Sequence, residues 1–203
     1  CDNLESVVIP NSVAGIGDHS LDCKKLSNIE VSSNNERYSS IDGVLFDKNA
    51  TKLIRYPVGK TDSAYVVPDT VKTVCAFAFD SCKSLTTVMF SNGVTNIGNY
   101  AFIRCENLLC VFLLETIIDI NENAFDYSNS FVICGCEDTY VEQYAKDNKI
   151  EFYIVFDSVD QNGNNFWENV TVDIDGSYEA YVVMGTITNN EISENNTPIF
   201  AIY

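Results

Sequence analysis

The chain has 203 residues, of which 46% are hydrophobic and 12% aromatic, so it carries enough apolar side chains for a buried core and is not expected to be disordered. Twelve Lys and Arg against 29 Asp and Glu give a formal net charge of -17, which argues against binding to nucleic acid or to anionic lipid. No apolar run approaches the roughly 18 to 20 residues that a membrane span needs, so membrane insertion is not expected.

Three segments of the chain align with one another: CDNLESVVIPNSVAGIGDHSLDC at the start, CKSLTTVMFSNGVTNIGNYAFIRC from Cys82 and CENLLCVFLLETIIDINENAFDYS from Cys105. One leucine position recurs in these segments and in a further one that starts at Cys23: Leu4, Leu26, Leu85 and Leu108. Because the chain opens inside this pattern, we expect it to be a piece of a longer protein.

Each repeat predicts one coil of a solenoid. Two apolar residues separated by one outward residue form a short strand, and a second apolar pair forms the return segment. A pair made of one small and one aromatic residue fills, or plugs, the turn between coils. These plug residues include Phe79, Phe102 and Phe125. A single coil cannot bury them alone, so the predicted fold class is a repeat solenoid, β-rich with short turns.

The second repeat is interrupted. It starts at Cys23 but reaches its plug only at Ala78 and Phe79. In the intervening residues, about 33–64, the alternating runs IDGVLF and KLIRYP flank DKNATK, which predicts a β-hairpin inserted on one coil of the array.

The eight cysteines have a structural explanation in this repeat. Cys82 and Cys105 share one inward position, which Ser128 fills in the last coil, so the position favours a small, buried, weakly polar side chain over a covalent or metal role. Cys75 and Cys110 lie outside that column. Free structural thiols are the preferred interpretation, with one or more disulfides, or a metal site, as alternatives.

The end of the array carries a cap, predicted at about 134–155. Thr139 and Glu142 fit a capping box at the start of a helix of about two turns, whose residues Tyr140, Val141, Tyr144 and Ala145 can cover the last coil. The strand IEFYIVF follows. Residues 156–203 have no repeat and predict three or four strands of a small β-module, either packed on the solenoid or part of a larger, truncated β-domain.

The sequence resembles the BspA-like leucine-rich repeats, also called the Treponema pallidum type. The residues that carry this resemblance are LTTVMFSNGVTNIGNYAFIRC, YSSIDGVLFDKNATKLIRYP and CEDTYVEQYAKDNKIEFYIV, and it covers roughly residues 1–155. The chain departs from the pattern in its short first coil, in Cys75 and in Asn121 at a usual glycine position. The resemblance implies a secreted or surface-attached solenoid that acts in adhesion to host proteins, other cells or glycans, and it implies no catalytic residues.

No catalytic, cofactor or metal site is expected. His19 is the single histidine and falls in a turn, where an exposed loop histidine is the better interpretation than a catalytic base. Cys134 and Cys136 form a C-x-C pair without further ligands. The segments 158–169 and 173–179 match a calcium loop only partly, because position one of the first is Ser158 and position twelve is Asn169, so polar turns are preferred.

The outward strand positions are the candidate ligand face. They comprise Val8, Glu30, Met89, Phe112 and, two residues before Met89, Thr87. Met89 and Phe112 would form an adjacent apolar pair, which suits a protein ligand unless the C-terminal strands or the hairpin cover it. Together with the resemblance, which implies an extracellular or cell-surface location and no catalysis, this face predicts a binding protein whose ligand is a host or neighbouring-cell protein.

Two alternatives remain. One is a carbohydrate-binding module, in which Tyr38, Tyr56 and Tyr65 of the insertion would stack on sugars. The other is a passive spacer of a larger surface protein, which burial of both Met89 and Phe112 would favour.

Overall fold

The fold is given by a computed structural model that describes residues 1, 3–156, 170–174, 178–183 and 199–202. In chain order the elements are β1 (Ser6–Ile9), β2 (Asn28–Val31), β3 (Tyr38–Ile41), β4 (Val44–Asp47), β5 (Lys52–Arg55), β6 (Ala64–Val66), β7 (Thr73–Val74), β8 (Thr87–Met89), β9 (Asn96–Ile97), β10 (Cys110–Phe112), β11 (Asp119–Ile120), β12 (Val132–Cys136), α1 (Tyr140–Asp147), β13 (Glu151–Phe156), β14 (Val170–Ile174), β15 (Tyr178–Val183) and β16 (Ile199–Ile202).

Short strands stack coil on coil into two sheets, which confirms the predicted repeat solenoid. The front sheet has the order β13-β12-β10-β8-β6, and its strands pair in parallel with Val88 opposite Val111. The return sheet has the order β11-β9-β7-β5-β4-β3. At the N-terminal end β1 and β2 form a separate parallel pair, and β14, β15 and β16 form an antiparallel sheet.

An aromatic column runs along the inside of the solenoid. Phe79 and Phe102 stack with ring centroids 4.7 Å apart, and Phe102 and Phe125 stack at 5.0 Å. Tyr56 extends the column at 5.4 Å from Phe79. The predicted leucine column is buried at Leu26, Leu85 and Leu108, and half-buried at the terminal Leu4. The predicted repeat positions are therefore the core.

The insertion contributes to the array more than the sequence indicated. β4 and β5 form the expected antiparallel hairpin, but β5 also pairs in parallel with β7, so that Leu53 lies opposite Val74. The insertion thus supplies a return strand, and its Tyr56 supplies a plug. The prediction of a hairpin added to one coil is correct for the hairpin and incomplete for its packing.

Strand β4 divides the core into two clusters. Val44, Leu45 and Phe46 are all fully buried. Val44 and Phe46 belong to the main cluster, whereas Leu45 packs in an N-terminal cluster with Ile9 and Ile29. Alternate side chains of a strand point to opposite faces, so β4 forms the wall between the two clusters.

The helical cap forms as predicted, with one change. Thr139 Oγ1 accepts the Glu142 N–H at 3.3 Å, and Val141, Tyr144 and Ala145 are buried. The Glu142 carboxylate accepts the N–H of Asp138 at 2.8 Å, one residue before the position that the capping box predicts. Among the described residues, no helix is long and apolar enough to cross a membrane.

Candidate ligand-binding surface

Only some residues of the predicted ligand face are exposed to solvent. Val8 is 57% exposed and Glu30 is exposed, but Thr87, Met89 and Phe112 are at most 9% exposed. Of the two alternatives for Met89 and Phe112, exposure to a ligand or burial, the structure shows burial, so these two residues and Thr87 are not available as a ligand face. The three residues do alternate with Val88 and Val111, as the period of two requires. Their face is buried at β8 and β10, whereas Val66, opposite Met89 in β6, is 43% exposed.

The tyrosines of the insertion do not form a sugar platform. Tyr56 is 1% exposed and packs edge-on against Tyr65 at 4.9 Å, while Tyr38 and Tyr65 are half-buried. Burial raises the pKa of both Tyr56 and Tyr65. Aromatic side chains that bind sugars expose a ring face, and these rings pack in the core or against it.

The cysteine column has a chemical explanation in the structure. Cys105 Sγ donates to the carbonyl of Phe79 at 3.1 Å, and Ser128 Oγ donates to the equivalent carbonyl of Phe102 at 2.7 Å. Cys82 points at the Tyr56 carbonyl at 3.8 Å. A small side chain with one donor satisfies a plug carbonyl in each coil, so Cys and Ser are interchangeable there. Burial raises the pKa of the Cys105 thiol to about 12.

All eight cysteines are free thiols in the structure. One pair is close: Cys110 Sγ and Cys134 Sγ lie 3.2 Å apart, and both residues are buried. Their strands β10 and β12 are neighbours, but the register pairs Cys134 with Phe112, two residues beyond Cys110. The two thiols are therefore diagonal neighbours on adjacent strands.

Three side chains at one repeat position, His19, Phe77 and Tyr100, form a row of rings along the plug turns. We call this row, together with Tyr127 at a different position of the last plug turn, the aromatic strip. The rings of His19 and Phe77 are 4.6 Å apart, and those of Phe77 and Tyr100 are 5.4 Å apart. Tyr127, in the next turn, is 78% exposed.

The strip is held by an unusual backbone. Phe77, Tyr100 and Tyr127 have φ of 59°, 55° and 57°, the left-handed region that a bulky residue seldom adopts. Ser81 and Arg104 in the same turns also have positive φ, so this conformation belongs to the plug turns of the repeat and fixes where the strip residues lie. His19 and Tyr127 are exposed and Phe77 and Tyr100 are half-buried, so the strip presents aromatic rings of mixed exposure on a defined backbone.

Two arginines lie next to the strip: Arg55 contacts its backbone at Phe77, and Arg104 belongs to the plug turn of Tyr100. Arg55 Nη2 lies 2.7 Å from Asp22 Oδ1, and its Nη1 donates to the Phe77 carbonyl at 2.6 Å. Arg104 Nη2 donates to both carboxylate oxygens of the buried Asp80 at 2.8 Å. The Arg55 side chain is 4% exposed, whereas that of Arg104 is 52% exposed.

These contacts also decide what the histidine can do. The ligand atoms of His19, Asp22 and Asp80 lie within 4.8 Å of one another, a spacing that could suit a metal ion. Each carboxylate is already paired with an arginine, however, so the cluster is an ion-pair network. In the described part of the chain His19 Nδ1 hydrogen-bonds Asp22 at 2.8 Å, which leaves it oriented but without a nucleophile to activate. The partial calcium loop 158–169 lies outside the described residues.

Stacked coils, a parallel front sheet and inward columns of Leu and Phe define a leucine-rich repeat solenoid. A family model described as BspA type Leucine rich repeat region matches six copies, in residues 1–63 and 60–171. The chain belongs to this family. Leucine-rich repeat domains generally bind proteins, and the family is generally non-catalytic. No curated protein sequence matches the chain.

Solved structures agree with the fold. A leucine-rich repeat protein from Eubacterium ventriosum shares 33% identity and a TM-score of 0.55, over 64% of this chain and 36% of that one. A leucine rich cell surface protein from Faecalibacterium prausnitzii shares 26% identity and a TM-score of 0.54, over 74% and 48%. The pneumococcal vaccine antigen PcpA, at 18% identity and a TM-score of 0.50, is similar in fold alone, over 78% and 57%. The chain thus spans between about a third and three fifths of these proteins.

Proposed function

We propose that this chain is a non-catalytic binding module of an extracellular or cell-surface protein and that it contacts a protein ligand through the aromatic strip. The observation that carries the proposal is the contact of His19 with Phe77 and of Phe77 with Tyr100, which joins turns far apart in sequence into one continuous surface. Rigid aromatic side chains dominate the energetics of protein interfaces because they bury a large area at a small entropic cost.

Charge complements the aromatic rings. The exposed guanidinium of Arg104 is fixed by Asp80 beside the strip, in a chain whose net charge is -17. Arginine is enriched with Tyr and Trp among the residues that contribute most to binding. The expected partner presents apolar or aromatic side chains for the rings and a carboxylate for Arg104. The surface location is supported by the family and by the Faecalibacterium relative, which is described as a cell surface protein.

The test is a binding screen of the 203-residue chain against a panel of purified extracellular matrix proteins by surface plasmon resonance. A strip variant (His19→Ala, Tyr100→Ala, Tyr127→Ala) should weaken binding at least about tenfold. A matched variant on the exposed face of β1 and β2 (Val8→Ala, Glu30→Ala) should change the affinity by less than about twofold. Equal affinity of the strip variant and the wild type would refute the assignment of the strip.

A passive spacer is the second candidate. The burial of Met89 and Phe112 favours it, since the apolar pair that the sequence offered as an anchor is not available to a ligand. Absence of binding to every member of the panel, with the chain folded, would support the spacer. The carbohydrate-binding alternative is not supported, because the tyrosines of the insertion do not expose a ring face to solvent.

A further inference from the structure

We propose that an open groove between the first two coils and the insertion loop binds a hydroxylated carboxylate of the size of one sugar, such as a hexuronate. The groove, here called the lysine pocket, is lined mainly by exposed residues and has a volume of about 480 Å³, which is within the range of small-molecule sites. Its charged and hydroxyl-bearing lining includes Glu5, Lys24, Lys25, Lys60, Thr61 and Asp62. It is separate from the aromatic strip and goes beyond the protein-binding function.

The charge of the pocket opposes that of the chain. Three of the twelve basic residues line it against two acidic ones, although the whole chain carries -17. Among the described residues the Lys24 ammonium has no partner, and Lys25 Nζ contacts only the neutral Asn3 Oδ1 at 3.0 Å. Lys24 and Lys25 are sequence neighbours in the lining, and ammonium groups that have no carboxylate partner among the described residues can pair with one anionic group.

The acidic side chains of the pocket narrow the ligand class. Glu5 and Asp62 would repel a polyanion such as a nucleoside phosphate, but carboxylates accept hydrogen bonds from hydroxyl groups. Thr61 adds a hydroxyl that both donates and accepts. A ligand with one carboxylate and several hydroxyls satisfies both halves of the lining.

The pocket is built into the fold. A Cβ on Gly59 would lie 2.4 Å from the backbone carbon of Lys25, so only glycine lets the insertion loop approach the second coil this closely. The Gly59 N–H donates to the Leu26 carbonyl at 2.7 Å. On the opposite wall the Tyr56 hydroxyl donates to Asp62 Oδ2 at 3.1 Å, and Lys60 Nζ lies 3.2 Å from the same oxygen.

Calorimetric titration of the folded chain with D-glucuronate, D-glucose and sulfate tests the proposal. Glucuronate should bind one equivalent, and the double variant Lys24→Gln, Lys25→Gln should weaken it at least about tenfold. The control Lys72→Gln removes an exposed lysine elsewhere on the solenoid and should leave the affinity within about twofold. Both variants change exposed side chains, so unfolding is not expected.

Three results would overturn the proposal. No glucuronate binding would exclude the ligand class, and glucose binding as tightly as glucuronate would remove the role of the ammonium groups. Sulfate binding as tightly as glucuronate would mean that the pocket takes an adventitious ion only. None of these outcomes bears on the aromatic strip, so failure here leaves the proposed function separately testable.

Discussion

Arg55 and Asp22 form an ion pair across the wall between the two core clusters, with Nη2 2.7 Å from Oδ1. Asp22 belongs to the first coil, and Arg55 ends β5 of the insertion. The plug spacing explains why Arg55 is there: Tyr56 follows Leu53 by three residues, whereas Phe79 follows Val74 by five. The insertion coil therefore lacks two residues of the plug turn. The Arg55 guanidinium occupies the space that these residues fill in the other coils.

A double-mutant cycle tests this coupling. We expect Asp22→Asn to lower the free energy of unfolding by about 1 to 2 kcal/mol, because it leaves the buried guanidinium with carbonyl partners alone, while the 33% exposure of the Asp22 side chain moderates the loss. In an Arg55→Met background the same change should cost less than about 0.5 kcal/mol. Urea unfolding of the four proteins gives the coupling energy, and strictly additive effects would show that the pair does not join the clusters.

The aromatic column predicts the largest single stability effect. Phe102 is fully buried between Phe79 and Phe125, so Phe102→Ala should lower the free energy of unfolding by about 3 to 5 kcal/mol through lost burial and an unfilled cavity. Ile118→Ala is the control, because Ile118 is 67% exposed and should change stability by less than about 0.5 kcal/mol. Thermal unfolding of both variants checks this, and a Phe102→Ala loss below about 1 kcal/mol would contradict the stacked core.

The buried thiol of Cys105 makes stability depend on pH in the alkaline range. Its pKa rises from 9.0 to about 12 on folding, so the folded state keeps a proton that the unfolded state loses. Stability from this group is complete below pH 9 and declines as the pH rises towards 12. Between pH 8 and 10.5 the wild type should therefore lose about 2 kcal/mol more than Cys105→Ser.

The serine variant suits this comparison because Ser128 already fills the same position in the next coil and donates to the Phe102 carbonyl. Cys1→Ser, at an exposed cysteine, should follow the wild type. Denaturant midpoints at the two pH values measure the difference. Parallel loss of stability in wild type and Cys105→Ser would mean that the thiol is not the titrating group.

Maleimide labelling followed by intact mass tests the state of the cysteines. In the folded protein we expect the exposed Cys1 to label first and the half-buried Cys75 and Cys136 slowly, while the five buried cysteines stay unlabelled. Denaturation without reductant should give eight labels. Six labels, restored to eight by reduction, would show that one disulfide has formed, with Cys110 and Cys134 as the first candidates because of their 3.2 Å separation.

The repeat core could be predicted because its signal is local. The positions of Leu85 and Phe102 follow from apolar spacing within one coil, and stacking repeats the same contact. The direction of Met89 and Phe112 also follows from the period of two, but their exposure does not. Their exposure depends on which other side chains pack against that face of the sheet, and the alternation of residues along one strand does not specify those contacts.

The support of the aromatic strip could not be predicted in the same way. Arg55 contacts Asp22 and Phe77, which lie far from it along the chain, and no sequence period links the three. Asn35 is a similar case: it is fully buried, donates to the carbonyls of Pro10 and Val13, and accepts the N–H groups of Arg37 and Tyr38. Its place in an Asn-rich segment gives no hint of this role. For Arg55 the sequence does offer one signal: Tyr56 follows Leu53 by three residues, where the other coils have five between the return strand and the plug.

The most direct test of the account is an amide hydrogen-exchange footprint of the chain with a protein partner taken from the binding screen. We expect the bound partner to slow amide exchange in the plug turns that carry the aromatic strip, at 17–22, 75–81, 98–104 and 123–128. We expect unchanged exchange in β1 and β2, which carry Val8 and Glu30. Protection confined to β1 and β2, with the plug turns unaffected, would place the ligand on the exposed face of that strand pair and contradict the assignment of the strip.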